Sequence, residues 1–272
     1  MSPTDTGLPF SLTRPIHIAE VGLKAHDVEK VADYYRQVLG LETISTAGGS
    51  VTLGAGGVPF LVIDPHPRGT ADNTREAGLF HTAFLMPTRA DLGRWIIHAS
   101  EKRLPLDGMA DHLVSEAFYL TDPEGNGVEI YSDRPTEEWA WQGSHVRMAT
   151  DPLDVNAIVS SLGDQIAPWQ GAPEYLRIGH VHLRVGDAPV AADWWKSEVG
   201  LDEVATMPSA SFLSSGGYHH HIGANHWQSR GAGPRAAERN GLAYVTLAGS
   251  GIEAERELVD PWGTLIRLQP ET

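Results

Sequence analysis

The sequence predicts an α+β chain assembled from a repeated unit, and three observations carry that prediction. Residues 26–44, HDVEKVADYYRQVLGLETI, match residues 186–204, GDAPVAADWWKSEVGLDEV, at a constant offset of 160. Residues 122–131, DPEGNGVEIY, are echoed by residues 260–269, DPWGTLIRLQ, at an offset of 138. Each copy of the first repeat reads as a strand, a turn, an amphipathic helix and a glycine stop leading into another strand. Self-similarity at a fixed spacing marks one supersecondary unit used more than once.

The elements follow in order. The opening strands are VGLKA and VHLRV. Asp27 and its counterpart Asp187 stand where a short carboxylate accepts from the free N–H groups of a helix's first turn. Within the helices Ala32 falls on Ala192, Asp33 on Asp193, and the pair Tyr34-Tyr35 on Trp194-Trp195. Gly40 and Gly200 occupy the position just past a helix end, where left-handed backbone favours glycine. In the second repeat a DPxG turn runs into a terminal strand. Four units result, over residues 15–66, 78–134, 176–228 and 240–270. The halves are then 15–134 and 176–270, joined by a linker, 135–175, that holds Trp139, Trp141 and a short helical pattern in DPLDVNAIVSSLG. Unit 4 is short: 12 residues separate Leu247 from Asp260, against 36 between Leu85 and Asp122 in unit 2. The helix that DLGRWIIHASEKR supplies in unit 2 is therefore expected to be missing from unit 4.

Composition narrows the function. Of 272 residues, 41% are apolar, enough for a real core, and no run approaches the ~18 apolar residues of a membrane span. The first 15 residues lack the basic and apolar regions of a secretory signal and read as a loose arm. A formal charge of −15 argues against nucleic acid and anionic membranes as partners. The absence of cysteine removes disulfides, thiolate metal sites and cysteine nucleophiles, and fits a soluble cytoplasmic protein. Thirteen histidines remain, so imidazole and carboxylate are the available strong metal ligands, a set that suits Fe(II), Mn(II), Ni(II) or Zn(II).

The stretches LFHTAFLMPTRADLGRWI, DHLVSEAFYLTDPEGNGVEIYSDRP, IGHVHLRV and GGYHHHIGANHW resemble the catechol 2,3-dioxygenase-like branch of the glyoxalase/bleomycin-resistance/dioxygenase superfamily, the vicinal oxygen chelate class. The resemblance spans nearly the whole chain. It implies four βαβββ modules, the last shortened, paired into two half-barrel sheets with metal ligands on the first and last strand of a module. The internal alignment puts the first-strand positions at Glu20, His81, His180 and Tyr244, and the last-strand positions near Val62, Glu129, His221 and Arg267. Units 3 and 4 together would set Arg267 against a cation, and units 1 and 2 would offer one imidazole. Units 2 and 3 offer His81, Glu129, His180 and His221, which contains the two-histidine, one-carboxylate set of non-heme iron sites. His180 and His182 share a strand face, with His180 preferred. Which of His219, His220 and His221 enters the site stays open.

His112, Tyr119 and His220 are the acid–base candidates, and Glu116 is a candidate partner for a ligand histidine. Trp139, Trp195, Trp227 and Tyr131 are candidates for an aromatic pocket, though aromatic residues more often build plain core. His226 is either a surface change or a substrate contact. His17, His26, His66, His98 and His145 are read as structural or exposed. The resemblance implies ring cleavage of a catechol or related small aromatic diol with O2, using Fe(II). Two alternatives share the framework: a glyoxalase-like isomerase or lyase, and a protein that sequesters an antibiotic or other small molecule. The composition is compatible with a homodimer.

Overall fold

The computed structural model describes residues 7–163 and 167–271. The repeated helices form where their caps stand. Helix Val28–Leu39 begins at Asp27, whose carboxylate accepts from the Lys30 N–H, and stops at Gly40 with φ of 69°. Its counterpart Ala188–Trp194 begins at Asp187, which accepts from the Val190 N–H. It continues as a π-turn, Trp195–Val199, before stopping at Gly200 with φ of 82°. In both copies the aromatic pair packs edge-on, at 5.4 Å for Tyr34–Tyr35 and 5.1 Å for Trp194–Trp195. The second ring of each pair is fully buried against the sheet. Unit 2 carries the helix Arg89–Lys102, and the linker carries Val155–Ser160. In unit 4 the strand Gly241–Gly249 passes to Arg256–Val259 with no helix between them, as the shortened sequence predicts.

Every module pairs its first strand in parallel with its last. His17–Ala25 runs beside Val58–Pro65, and Gly78–Leu85 beside Gly127–Asp133. Arg177–Arg184 runs beside Ile222–Asn225, and Gly241–Gly249 beside Leu265–Pro270. Modules then join through antiparallel first strands: His17–Ala25 with Gly241–Gly249, and Gly78–Leu85 with Arg177–Arg184. Among the described residues this makes a seven-stranded sheet from units 1 and 4 and an eight-stranded sheet from units 2 and 3. The fold is thus two half-barrel sheets of paired modules, each drawing one module from each half of the chain. Strand residues alternate between faces. Phe84 enters the main apolar core, while Ala83 and Leu85 on the opposite face meet Tyr131 and Tyr119.

The segment between units 1 and 2 is tied down by charge. Asp72 accepts from both Arg184 and Arg235, and Glu76 pairs with Arg239 at 2.6 Å. The N-terminal arm departs from the expectation of looseness over residues 7–15; residues 1–6 lie outside the described residues. Phe10–Thr13 form a 3-10 turn, Phe10 meets Trp139 edge-on at 5.9 Å, and Arg14 donates to the Gly216 carbonyl at 3.0 Å. An aromatic anchor and a guanidinium help dock a segment that has no periodicity of its own. Among the described residues no helix is long and apolar enough to cross a membrane.

Candidate metal centre

The strand registers at the seam of units 2 and 3 assemble the site. His182 stands opposite His81, and His180 opposite Ala83. Ala83 is also the neighbour of Glu129, and Glu129 the neighbour of Tyr119. Paired residues share a sheet face, as do residues two apart. All of these side chains therefore project into the same concavity, and the small Ala83 at its centre leaves room for its neighbours to converge. Glu129 Oε2 lies 2.9 Å from His81 Nε2 and 3.2 Å from His180 Nε2. One donor atom from each of the three residues lies within 4.8 Å of the others.

Glu129 is 2% exposed and His180 1% exposed. Burial works to raise the Glu129 carboxyl, but the His180 and His81 rings outweigh it and hold the group well below the usual carboxylate range. His180 is pushed down to about 4, by burial first and against the pull of Glu129. Its Nδ1 is buried without a hydrogen-bond partner. An ionised carboxylate taken out of water needs compensation by opposite charge. A divalent cation would supply it, and two imidazoles with one carboxylate are a donor set that such cations accept. The residues present fit a metal.

The chamber above this cluster is lined by His112, Tyr119, His182, His220, Phe212 and Trp227, with Met148, Thr150 and Met207 at its sides. His112 Nδ1 meets the Ala149 carbonyl at 2.7 Å, so that nitrogen carries the proton and donates it. His112 Nε2 then accepts from the Tyr119 hydroxyl at 2.6 Å. Burial, followed by the charge of Glu129, pushes the Tyr119 phenol well above its ordinary range. The ring of His220 lies 4.1 Å from that of His180. Its Nδ1 is 2.8 Å from Nδ1 of His219, whose Nε2 is 2.7 Å from Asp133 Oδ1. Since a carboxylate only accepts, His219 Nε2–H donates to Asp133. His219 Nδ1 then accepts from His220 Nδ1–H, which leaves His220 Nε2 with its lone pair.

The expected fourth ligand, His221, is not brought to the cluster. His219 and His220 turn toward each other, and His221 points away. Its Nε2 donates to the Ser11 carbonyl at 3.1 Å, and its Nδ1 accepts from the Ser215 N–H at 3.3 Å. Burial pushes it down to about 3. Glu116 is likewise on the far face of its strand, paired with Arg89 and Arg134. Trp195 and Trp139 belong to core packing, whereas Trp227 lines the chamber and Tyr131 packs against His180 at 4.9 Å. His226 is buried, and its Nδ1 accepts from the Ala188 N–H at 3.0 Å, where the second helix starts. Sequence reasoning missed Asp133 and the chamber residues of the linker. Asp133 was findable, because Glu129, Tyr131 and Asp133 alternate along one strand. Met148 and Thr150 carry no local signal, since they arrive from the segment between the halves.

Two modules joined through their first strands, with two histidines and a glutamate converging at the seam, define a vicinal oxygen chelate framework. The model of the Glyoxalase/Bleomycin resistance protein/Dioxygenase superfamily matches residues 17–130. The chain is 35% identical over 243 residues to catechol-2,3-dioxygenase of Bacillus subtilis (strain 168), covering 87% of this chain and 84% of that protein. A crystal structure from Bacillus subtilis subsp. subtilis str. 168 superposes with a TM-score of 0.59 at 12% identity, covering 94% of this chain and 86% of that one. Glyoxalase I of Zea mays superposes with a TM-score of 0.53 at 12% identity, covering 95% and 94%. These two share the fold. The chain belongs to the glyoxalase/bleomycin resistance/dioxygenase superfamily.

Proposed function

We propose that this chain is a non-heme, Fe(II)-dependent dioxygenase that cleaves the ring of a catechol or related diol with O2. The observation that carries the reading is the two-histidine, one-carboxylate cluster of His81, Glu129 and His180, facing a chamber whose walls hold poised acid–base groups. The 35% identity to a catechol-2,3-dioxygenase points the same way. A divalent metal held there supplies Lewis acidity toward two adjacent diol oxygens and, as iron, the redox chemistry of O2.

The chain's own residues do the rest. His220, tied through Nδ1 to His219 and Asp133, presents Nε2 as an acceptor and takes a proton from the bound diol. Its orientation is held by that chain of hydrogen bonds, so little reorganisation accompanies proton uptake. Tyr119, kept neutral by burial and by Glu129, offers its oxygen to the substrate while its proton is committed to His112. His112 is locked to the Ala149 carbonyl and holds the Tyr119 hydroxyl in place. Phe212, Met207 and Trp227 keep bulk water from the reacting ring.

Metal analysis of anaerobically purified protein tests the reading, combined with oxygen uptake on catechol before and after Fe(II) is added. About one iron per chain with oxygen consumption, both lost in His81→Ala and Glu129→Ala, is the expected result. Zinc or nickel without oxygen uptake would move the assignment to an isomerase or lyase. Failure to take up any metal would leave a binding protein.

A further inference from the structure

One buried group in the chamber has no part in the chemistry above. His182 lies two residues beyond His180 on the same strand and faces the same concavity. It is 3% exposed, and its Nε2 is buried with no hydrogen-bond partner. Leaving such a group unpaired costs roughly 1–3 kcal/mol, so an unpaired nitrogen lining a cavity marks a contact that a ligand completes. Its position is built. Four aromatic rings surround it: His81 at 5.0 Å, Phe80 at 5.2 Å, Trp227 at 5.3 Å and Phe212 at 5.7 Å. Across the parallel strand it faces Gly223, where a Cβ would come within 2.8 Å of the imidazole. That glycine is the space the ring occupies.

The rest of the chamber sets the ligand's chemistry. Among the described residues that line it, none is lysine or arginine. The one carboxylate is Glu129, committed to the metal cluster. An anionic substituent on the substrate would find no lysine or arginine to pair with in this space.

We infer that His182 determines specificity: its free imidazole nitrogen pairs with a neutral hydrogen-bonding group on the ring of the diol, and the chamber disfavours rings that carry a carboxylate. This rests on the diol reading of the site.

The test is binding to the Fe(II)-loaded protein under argon, read by tryptophan fluorescence, since Trp227 sits beside His182. The probes are 4-methylcatechol, 4-(hydroxymethyl)catechol and 3,4-dihydroxybenzoate. The wild type is expected to bind the hydroxymethyl compound at least about tenfold more tightly than the methyl compound, and the benzoate most weakly. In His182→Leu the hydroxymethyl-to-methyl ratio falls to about one, and His182→Gln keeps part of it. Equal wild-type affinities, or a ratio unchanged in His182→Leu, would overturn the assignment. So would an equal loss of all three probes, which would place His182 on the shared diol. Metal loss in His182→Leu would make it a ligand and overturn it too. If the wild type binds no diol at all, the diol reading itself fails. The wild-type ratios alone decide the question should a variant fold poorly.

Discussion

The two sheets have the same seam and opposite chemistry. In the sheet of units 2 and 3, His182 faces His81 and His180 faces Ala83, which borders Glu129. In the sheet of units 1 and 4, Gly22 faces Tyr244 and Glu20 faces Thr246, which borders Arg267. Position for position, Tyr244 replaces His81, Glu20 replaces His180 and Arg267 replaces Glu129. The replacements satisfy one another. Tyr244 donates to Glu20 at 2.7 Å, Arg267 stacks on the Tyr244 ring at 3.7 Å, and Arg267 pairs with Glu257 at 3.2 Å. The guanidinium would repel a cation at the place where Glu129 attracts one. One backbone register therefore serves either a metal centre or a closed polar cluster, and three side chains decide which.

Removing a donor from the first seam should have the largest effect. Glu129→Ala is expected to lose most bound metal and to slow ring cleavage by at least about 10³-fold, since even outer-shell changes cost 10–100-fold. Arg267→Ala in the other seam should leave metal stoichiometry intact. Metal analysis of the two variants side by side breaks the contrast if they behave alike.

Next come the groups that only the first chamber possesses. His220→Phe and Tyr119→Phe should each lower kcat by about 10²-fold while metal content stays at the wild-type level. Metal loss in His220→Phe would instead make that ring a fourth ligand.

His221 sharpens the comparison through pH. Its folded pKa lies near 3, below the ordinary 6.5, so the unfolded chain binds the extra proton between those values. Its contribution is complete above about pH 6.5 and lost as pH falls toward 3, on the order of 5 kcal/mol across the window. Chemical denaturation between pH 7 and pH 4 should show His221→Asn losing less stability on acidification than the wild type. An equal loss would remove His221 from the account.

The smallest effect belongs to the closed cluster. Tyr244→Phe deletes one partly buried hydrogen bond and should cost about 1 kcal/mol, with a thermal midpoint lower by a few degrees. Metal content should not change. A metal-content change there would show that the two sheets communicate.

Much of this was legible beforehand because the signals are local. Asp27, Asp187, Gly40 and Gly200 bound their helices through capping that needs only neighbours in the chain. The deletion in unit 4 announced its missing helix. His81, Glu129 and His180 were placed by the family resemblance, which puts ligands on a module's first and last strands, together with the internal repeat offsets. His221 was misplaced because residues 219–221 lie in the irregular segment before the strand Ile222–Asn225, where strand alternation does not fix direction. The docked arm at Phe10 and the chamber walls at Met148 and Thr150 depend on partners far away in sequence, so no local pattern marks them.

By itself, then, the sequence determined the repeated units, their caps and the donor types present, since each follows from periodicity, backbone preference or side-chain chemistry within a few residues. Tertiary structure decided which units share a sheet, which histidine of the run at 219–221 faces the chamber, and that His182 is left without a partner. Those outcomes come from strand register and packing between segments some 50–200 residues apart, where only the closed sheet brings the groups within reach of one another.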